Sequence, residues 1–123
     1  MTTWLFEPAT DEPSPGEVLD IALRFEGEVT ACVLTGRLCA YTAPTLDAWL
    51  GQLHEHGRLR VVVDASELRS LSGDGVDVLA EHARRFRAAG GALHVRSPSK
   101  AARRVLELCD AEHLLDAGEL RSG

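Results

Sequence analysis

Leu59 to Val63 is an apolar run broken only by Arg60, and an amphipathic stretch follows it in which Val76, Leu79, Ala83 and Phe86 recur at helical spacing. So continuous a run suits a strand shielded on both faces, the setting of an inner parallel strand. Parallel neighbours need a crossover connection, almost always a helix, and that crossover is right-handed. This one segment therefore commits the chain to layered α/β architecture.

The flanking sequence fills in the layers. Leu19, Ile21, Leu23 and Phe25 alternate with polar or small residues, which predicts a half-buried strand. After the turn Glu26-Gly27-Glu28, residues Val29 to Leu34 predict a second strand, ended by Gly36, so a β-hairpin opens the domain. Thr42 is the expected N-cap of a first helix, with Pro44 in its first turn and Gly57 as its stop. Leu46, Trp49, Leu50 and Leu53 make one apolar stripe on it. The second helix ends at Gly90-Gly91, and Ala92, Leu93 and Val95 form the next strand. Ser97-Pro98-Ser99 opens a third helix with Ala102, Val105, Leu106 and Cys109 on one face, and Glu112 to Leu115 forms a last turn. The order β-β-α-β-α-β-α predicts a small mixed sheet, an antiparallel hairpin followed by parallel crossovers, covered by helices. Residues 18–117 make the domain. The acidic, proline-rich residues 1–17 read as an N-terminal arm, with Trp4-Leu5-Phe6 as a short strand within it, and residues 118–123 as a tail.

Composition narrows the function. The chain has 123 residues, the size of one core, and 19 acidic against 13 basic residues give a net charge of -6. A nucleic-acid surface needs clustered cations, so that class of partner is not expected. No apolar run is long enough for a bilayer, and the N-terminus lacks a basic-then-apolar leader, so the expected location is the cytoplasm. Cys32, Cys39 and Cys109 are odd in number and lack C-x-x-C spacing, which predicts reduced thiols and no zinc site. His54 and His56 fall on different helix faces, while His82, His94 and His113 are scattered, so neither a metal nor a cofactor is expected. No G-x-S-x-G elbow places a nucleophile, and Gly73-Asp74-Gly75 is too short to cradle phosphates.

In such folds function gathers where strands end and helices begin. Two segments lie there, Gly36 to Pro44 and Asp64 to Gly75, the second read as a loop. With the element order, they resemble the STAS domain, the family named for sulfate transporters and anti-sigma factor antagonists. Asp64, Ser66, Leu68, Leu71, Gly75 and Val76 agree, directly or by type, with that family's D-x-S-x-V-x-[FY]-[LIM]-D-S-[ST]-G-[LV] pattern. Gly36, Leu38, Thr42, Ala43 and Leu46 agree with its G-E-[LVI]-D-x-x-[TS]-[AV]-x-x-L pattern, and Ser97-Pro98 before Val105-Leu106-Glu107-Leu108 with a third.

The resemblance implies a binding module rather than a catalyst, one that docks an anti-sigma factor of the serine-kinase type in bacterial transcription control. It also implies a Ser or Thr just before the loop's final Gly, where phosphate adds roughly -1.5 to -2 charge and switches binding off. Here that position is Asp74, the preceding Asp-Ser is Ser72-Gly73, and the Glu and Asp of the other segment are Arg37 and Cys39. A serine kinase cannot modify Asp74, and its carboxylate stands permanently where phosphate would arrive. Asp74 equally suits a helix N-cap, an effect worth roughly 0.5–2 kcal/mol. Ser70 and Ser72 are alternative phosphoacceptors or simple turn formers, and Cys39 is a redox-sensitive thiol or a space-filler. The expected recognition surface is Ser72, Gly73, Asp74 and Gly75, flanked by Arg37, Cys39, Tyr41 and Thr42, with Ser66 and Ser70 shaping the loop. Arg84, Arg85 and Arg87 form a solvated or partner-facing patch. Self-association as a scaffold subunit is the alternative role.

Overall fold

The hairpin is built from β1 (Leu19–Glu26) and β2 (Val29–Leu38), antiparallel over eight successive pairs from Leu19–Gly36 to Glu26–Val29. Helix α1 (Ala43–Glu55) leads to β3 (Arg60–Leu71), α2 (Gly73–Ala88) to β4 (Ala92–Arg96), and α3 (Lys100–Leu108) to a short 3-10 turn at Glu112–Leu114. Both later strand pairings are parallel and the sheet order is β1-β2-β3-β4, the mixed sheet expected. A computed structural model describes residues 18–115; the expected arm 1–17, with Trp4-Leu5-Phe6, and the tail 118–123 lie outside the described residues.

One face of the sheet presents Cys32 and Leu34 from β2, Val61 and Val63 from β3, and Leu93 and Val95 from β4, all buried. They join Leu46, Leu50 and Leu53 of α1 and Val76, Leu79, Ala83 and Phe86 of α2 in a single core, with Ala102 and Leu106 of α3. The predicted stripes are thus inward faces, except that Trp49 and Val105 are half-buried and Cys109, beyond the end of α3, is exposed. Val62, on the opposite face of β3, is only half-buried, so the strand is not enclosed on both faces as its apolar run suggested. Phe25 is likewise 54% exposed rather than tucked under the helices, its ring lying 4.9 Å from the Arg58 guanidinium.

Two strands outrun their predicted ends. β2 continues through Gly36 to Leu38. Gly36 adopts φ +111, and a Cβ there would sit 2.2 Å from the Val18 carbonyl oxygen, so only glycine lets the edge strand close against it. β3 continues to Leu71, so Asp64 to Leu71 is strand, not loop. Its buried residues Val61, Val63, Ala65, Leu68 and Leu71 are spaced by two, two, three and three, because the β2–β3 register slips between Val33 and Thr35 and again between Gly36 and Arg37. Such bulges destroy the period-2 signature on which strand reading depends.

Candidate partner-binding site

The extended ends of β2 and β3 carry both motif segments to one rim. Arg37 is opposite Ser70 and Leu38 opposite Leu71, and the Ser72 N–H then donates to the Leu38 carbonyl at 2.9 Å. β3 passes almost directly into α2 at Gly73, and β2 passes into α1 at Ala43 through residues 39–42.

On the β3 side, Ser72 is the N-cap of α2. It has extended backbone (φ -104, ψ 169), and its hydroxyl accepts the Gly75 N–H at 3.4 Å while its carbonyl accepts the Val76 N–H at 3.1 Å. The cap reading of Asp74 is therefore corrected. The capping oxygen must precede the orphan N–H groups of the first turn, and Ser72 holds that place. Asp74 lies inside the first turn, exposed, where its carboxylate complements the positive end of the helix dipole. Arg85 and Arg87 complement the other end. Gly75 is buried. A Cβ there would approach Leu38 Cγ to 2.6 Å and Leu71 Cδ1 to 3.0 Å, so the missing side chain lets α2 seat directly on the strand ends. Gly73, by contrast, is exposed with nothing near its absent Cβ.

On the β2 side, Thr42 stands at the N-terminus of α1, as predicted, but it makes no side-chain cap bond. Its hydroxyl instead donates to the Arg37 carbonyl at 2.9 Å and accepts the Cys39 N–H at 3.0 Å, tying the connection into a tight knot. Thr42 is accordingly 5% exposed and supports the rim from beneath. Cys39 is half-buried, its Sγ 3.7 Å from the Thr42 hydroxyl. Arg37 and Tyr41 face outward, Tyr41 at 48% exposure.

The remaining serines divide. Ser66 shapes its surroundings as expected, its N–H and hydroxyl both donating to Asp64 Oδ1 at 3.0 and 2.8 Å. Ser70 is half-buried within β3 rather than in a loop. Arg84, Arg87 and His113, with Asp77, Ala80, Glu81 and Ala83, line an open groove of about 500 Å³ along α2, and Arg84 pairs with Glu81. Among the described residues no three His, Cys, Asp or Glu side chains gather as metal ligands, and no helix is long and apolar enough to cross a membrane.

A pairing beneath the rim escaped sequence reading. His82 of α2 is 1% exposed and its Nε2 lies 2.6 Å from Asp47 Oδ1 of α1. Since a carboxylate only accepts, Nε2 carries the proton, while Nδ1 has no hydrogen-bond partner among the described residues. Burial of His82 was legible, because it falls on the Leu79-Ala83-Phe86 stripe. Its partner on another helix was not.

The family model described as "Mlab, STAS domain" matches residues 21–116. The chain belongs to the STAS domain family. No curated protein matches the sequence. Among solved structures, this STAS domain is similar to an anti-sigma factor antagonist from Mycobacterium paratuberculosis, with 20% identity, TM-score 0.73, and 83% of this chain and 86% of that chain covered. It is also similar to the anti-sigma factor antagonist SpoIIAA in its unphosphorylated form, with 15% identity, TM-score 0.69 and coverage of 82% and 92%. The Bacillus cell fate determinant SpoIIAA in its phosphorylated form matches with 16% identity, TM-score 0.63 and coverage of 84% and 97%. At these identities the likeness is one of fold.

Proposed function

We propose that this STAS domain is a non-catalytic binding module that docks an anti-sigma factor of the serine-kinase type in bacterial transcription control, and does so in the cytoplasm without a phosphate toggle on its own helix. The docking surface in this reading is the rim of Ser72, Gly73 and Asp74 with Arg37, Cys39 and Tyr41, the buried Gly75 seating α2 beneath it. Family membership and structural neighbours named as anti-sigma factor antagonists support the partner class.

The observation that carries the reading is Asp74. It is exposed in the first turn of α2, directly before the buried Gly75 that seats the helix on the strand ends. A neighbour of this fold exists in phosphorylated and unphosphorylated forms. A carboxylate in the corresponding place offers a kinase no hydroxyl, and its single charge falls short of the roughly -1.5 to -2 that a phosphate brings, so the charge that switches binding off never arrives. The serines nearby are poor substitutes, since the Ser72 hydroxyl caps the helix and Ser70 lies within a strand.

The test is capture of kinase-type anti-sigma factors by wild type and Asp74→Ser, with ATP or ADP present. Wild type should bind equally with either nucleotide and incorporate no phosphate. Asp74→Ser should become phosphorylated and lose its partner only with ATP. If the two proteins behave identically, or wild type is phosphorylated on Ser70 or Ser72, the reading fails.

A further inference from the structure

The Arg37 N–H donates to the Val18 carbonyl at 3.0 Å, and this bond sets the parity of the whole hairpin. Residues of β1 in step with Val18, namely Asp20, Ala22, Arg24 and Glu26, direct their backbone groups toward β2, so Leu19, Ile21, Leu23 and Phe25 direct theirs away from the sheet. Among the described residues no strand pairs with that outer edge. Natural sheets blunt such edges with proline, charged side chains (lysine above all), bulges or short length. Of these β1 has only charges, Asp20, Arg24 and Glu26, and they are of both signs, so they can pair with one another. It runs eight residues, its pairing with β2 is unbroken, and its sequence Leu-Asp-Ile-Ala-Leu-Arg-Phe-Glu lacks Pro and Lys.

The side chains along the edge are arranged about Ala22. Leu19 and Phe25 lie three residues either side of it, Ile21 and Leu23 one, and the opposite charges Asp20 and Arg24 two. Asp20 and Arg24 are exposed, and neither has an ion-pair partner within 4.0 Å among the described residues. Phe25 is 54% exposed at the margin of the core face.

We propose that β1 pairs antiparallel with β1 of a second copy of this chain, about a two-fold axis through Ala22, joining the two sheets into one. In this register Leu19 lies opposite Phe25 and Ile21 opposite Leu23 as hydrogen-bonded pairs, each contributing its outward N–H and C=O. Asp20 of each copy lies opposite Arg24 of the other in a non-hydrogen-bonded pair, where side chains approach most closely. A shift by one residue sets outward groups against inward ones and forms no ladder. A shift by two sets Asp20 against Glu26 or against Ala22, so charge selects the central register. An isologous interface of this kind closes on itself as a dimer. It lies at the sheet edge remote from α2, which packs on β4, and it stands independently of the role given to Asp74.

Sedimentation velocity of the full chain over a concentration series tests this. Wild type should show a monomer–dimer equilibrium. Asp20→Arg and Arg24→Asp, each placing like charges opposite one another twice, should weaken association roughly tenfold or more. The combined Asp20→Arg/Arg24→Asp variant should recover it, with far-ultraviolet circular dichroism unchanged throughout. A wild type that stays monomeric up to its solubility limit overturns the proposal, as do single variants that associate as well as wild type.

Discussion

Cys32 shows what burial alone does to a side chain. It lies at 0% exposure between β1 and β3 on the core face, and desolvation of the thiolate pushes its pKa from 9.0 up to about 12. The sign of the stability effect follows from proton counting. Above pH 9.0 the unfolded chain gives up this proton while the folded chain keeps it, so Cys32 makes stability fall as pH climbs from 9.0 toward about 12, and is without effect below that window. The same burial shields the sulfur from reagents. Iodoacetamide should label the exposed Cys109 in the native protein and Cys32 only after denaturation, which peptide mass mapping resolves. Equal native labelling of Cys32 and Cys109 would contradict the buried placement.

At the scale of elements, α1 and α2 are joined by a contact unlike the rest of their apolar interface. His82 is surrounded by core, with the Phe86 ring 6.2 Å away and the His54 ring in turn 5.4 Å from Phe86, and its side-chain hydrogen bond reaches Asp47, which is 59% exposed. Removing the carboxylate leaves a buried N–H without an acceptor, and such orphaned groups cost about 1–3 kcal/mol. Asp47→Ala should therefore lower the unfolding free energy obtained from urea titration by about that amount, although it deletes a surface residue. Replacing both groups removes the orphan, so Asp47→Ala/His82→Leu should be less destabilised than the sum of its single changes. Additive losses would show that the bond contributes little. The contact also bears on the rim, since α1 and α2 both begin there.

For the molecule as a whole, the segment after α3 closes the core. Leu114 and Leu115 are 1% and 3% exposed, Leu115 bridges to Val95 in parallel, and the Ala111 N–H donates to the Leu106 carbonyl at 2.8 Å. Truncating a fully buried leucine typically costs 2–5 kcal/mol, a large share of the 5–15 kcal/mol that holds a domain together. Leu114→Ala should shift the whole urea transition downward while leaving it single and its slope unchanged, because the residue belongs to the same cluster as β4 and α2. A separate early transition confined to the last turn would mean that this segment is an appendage instead.

Read alone, the residues determined the order of elements, the hairpin, the parallel crossovers and most of the inward-facing positions of the three helices. Those features are local. They follow from a period of two or 3.6 and from turn chemistry, and each is written within a short window of chain. The identity of the charged residue at the start of α2 was equally legible, because a motif is a matter of spacing. What only the tertiary structure decided is everything that depends on a neighbour far away in sequence. The strand character of Asp64 to Leu71 rests on pairing with β2 through two register slips. The cap passed to Ser72 because β3 ended at Leu71, and the work of Thr42 passed to its own loop because β2 ended at Leu38. The link between Asp47 and His82 exists only once two helices lie side by side. Period and propensity report on one segment at a time, whereas bulges, caps and cross-helix bonds are settled by which backbone groups remain unpaired after the segments meet.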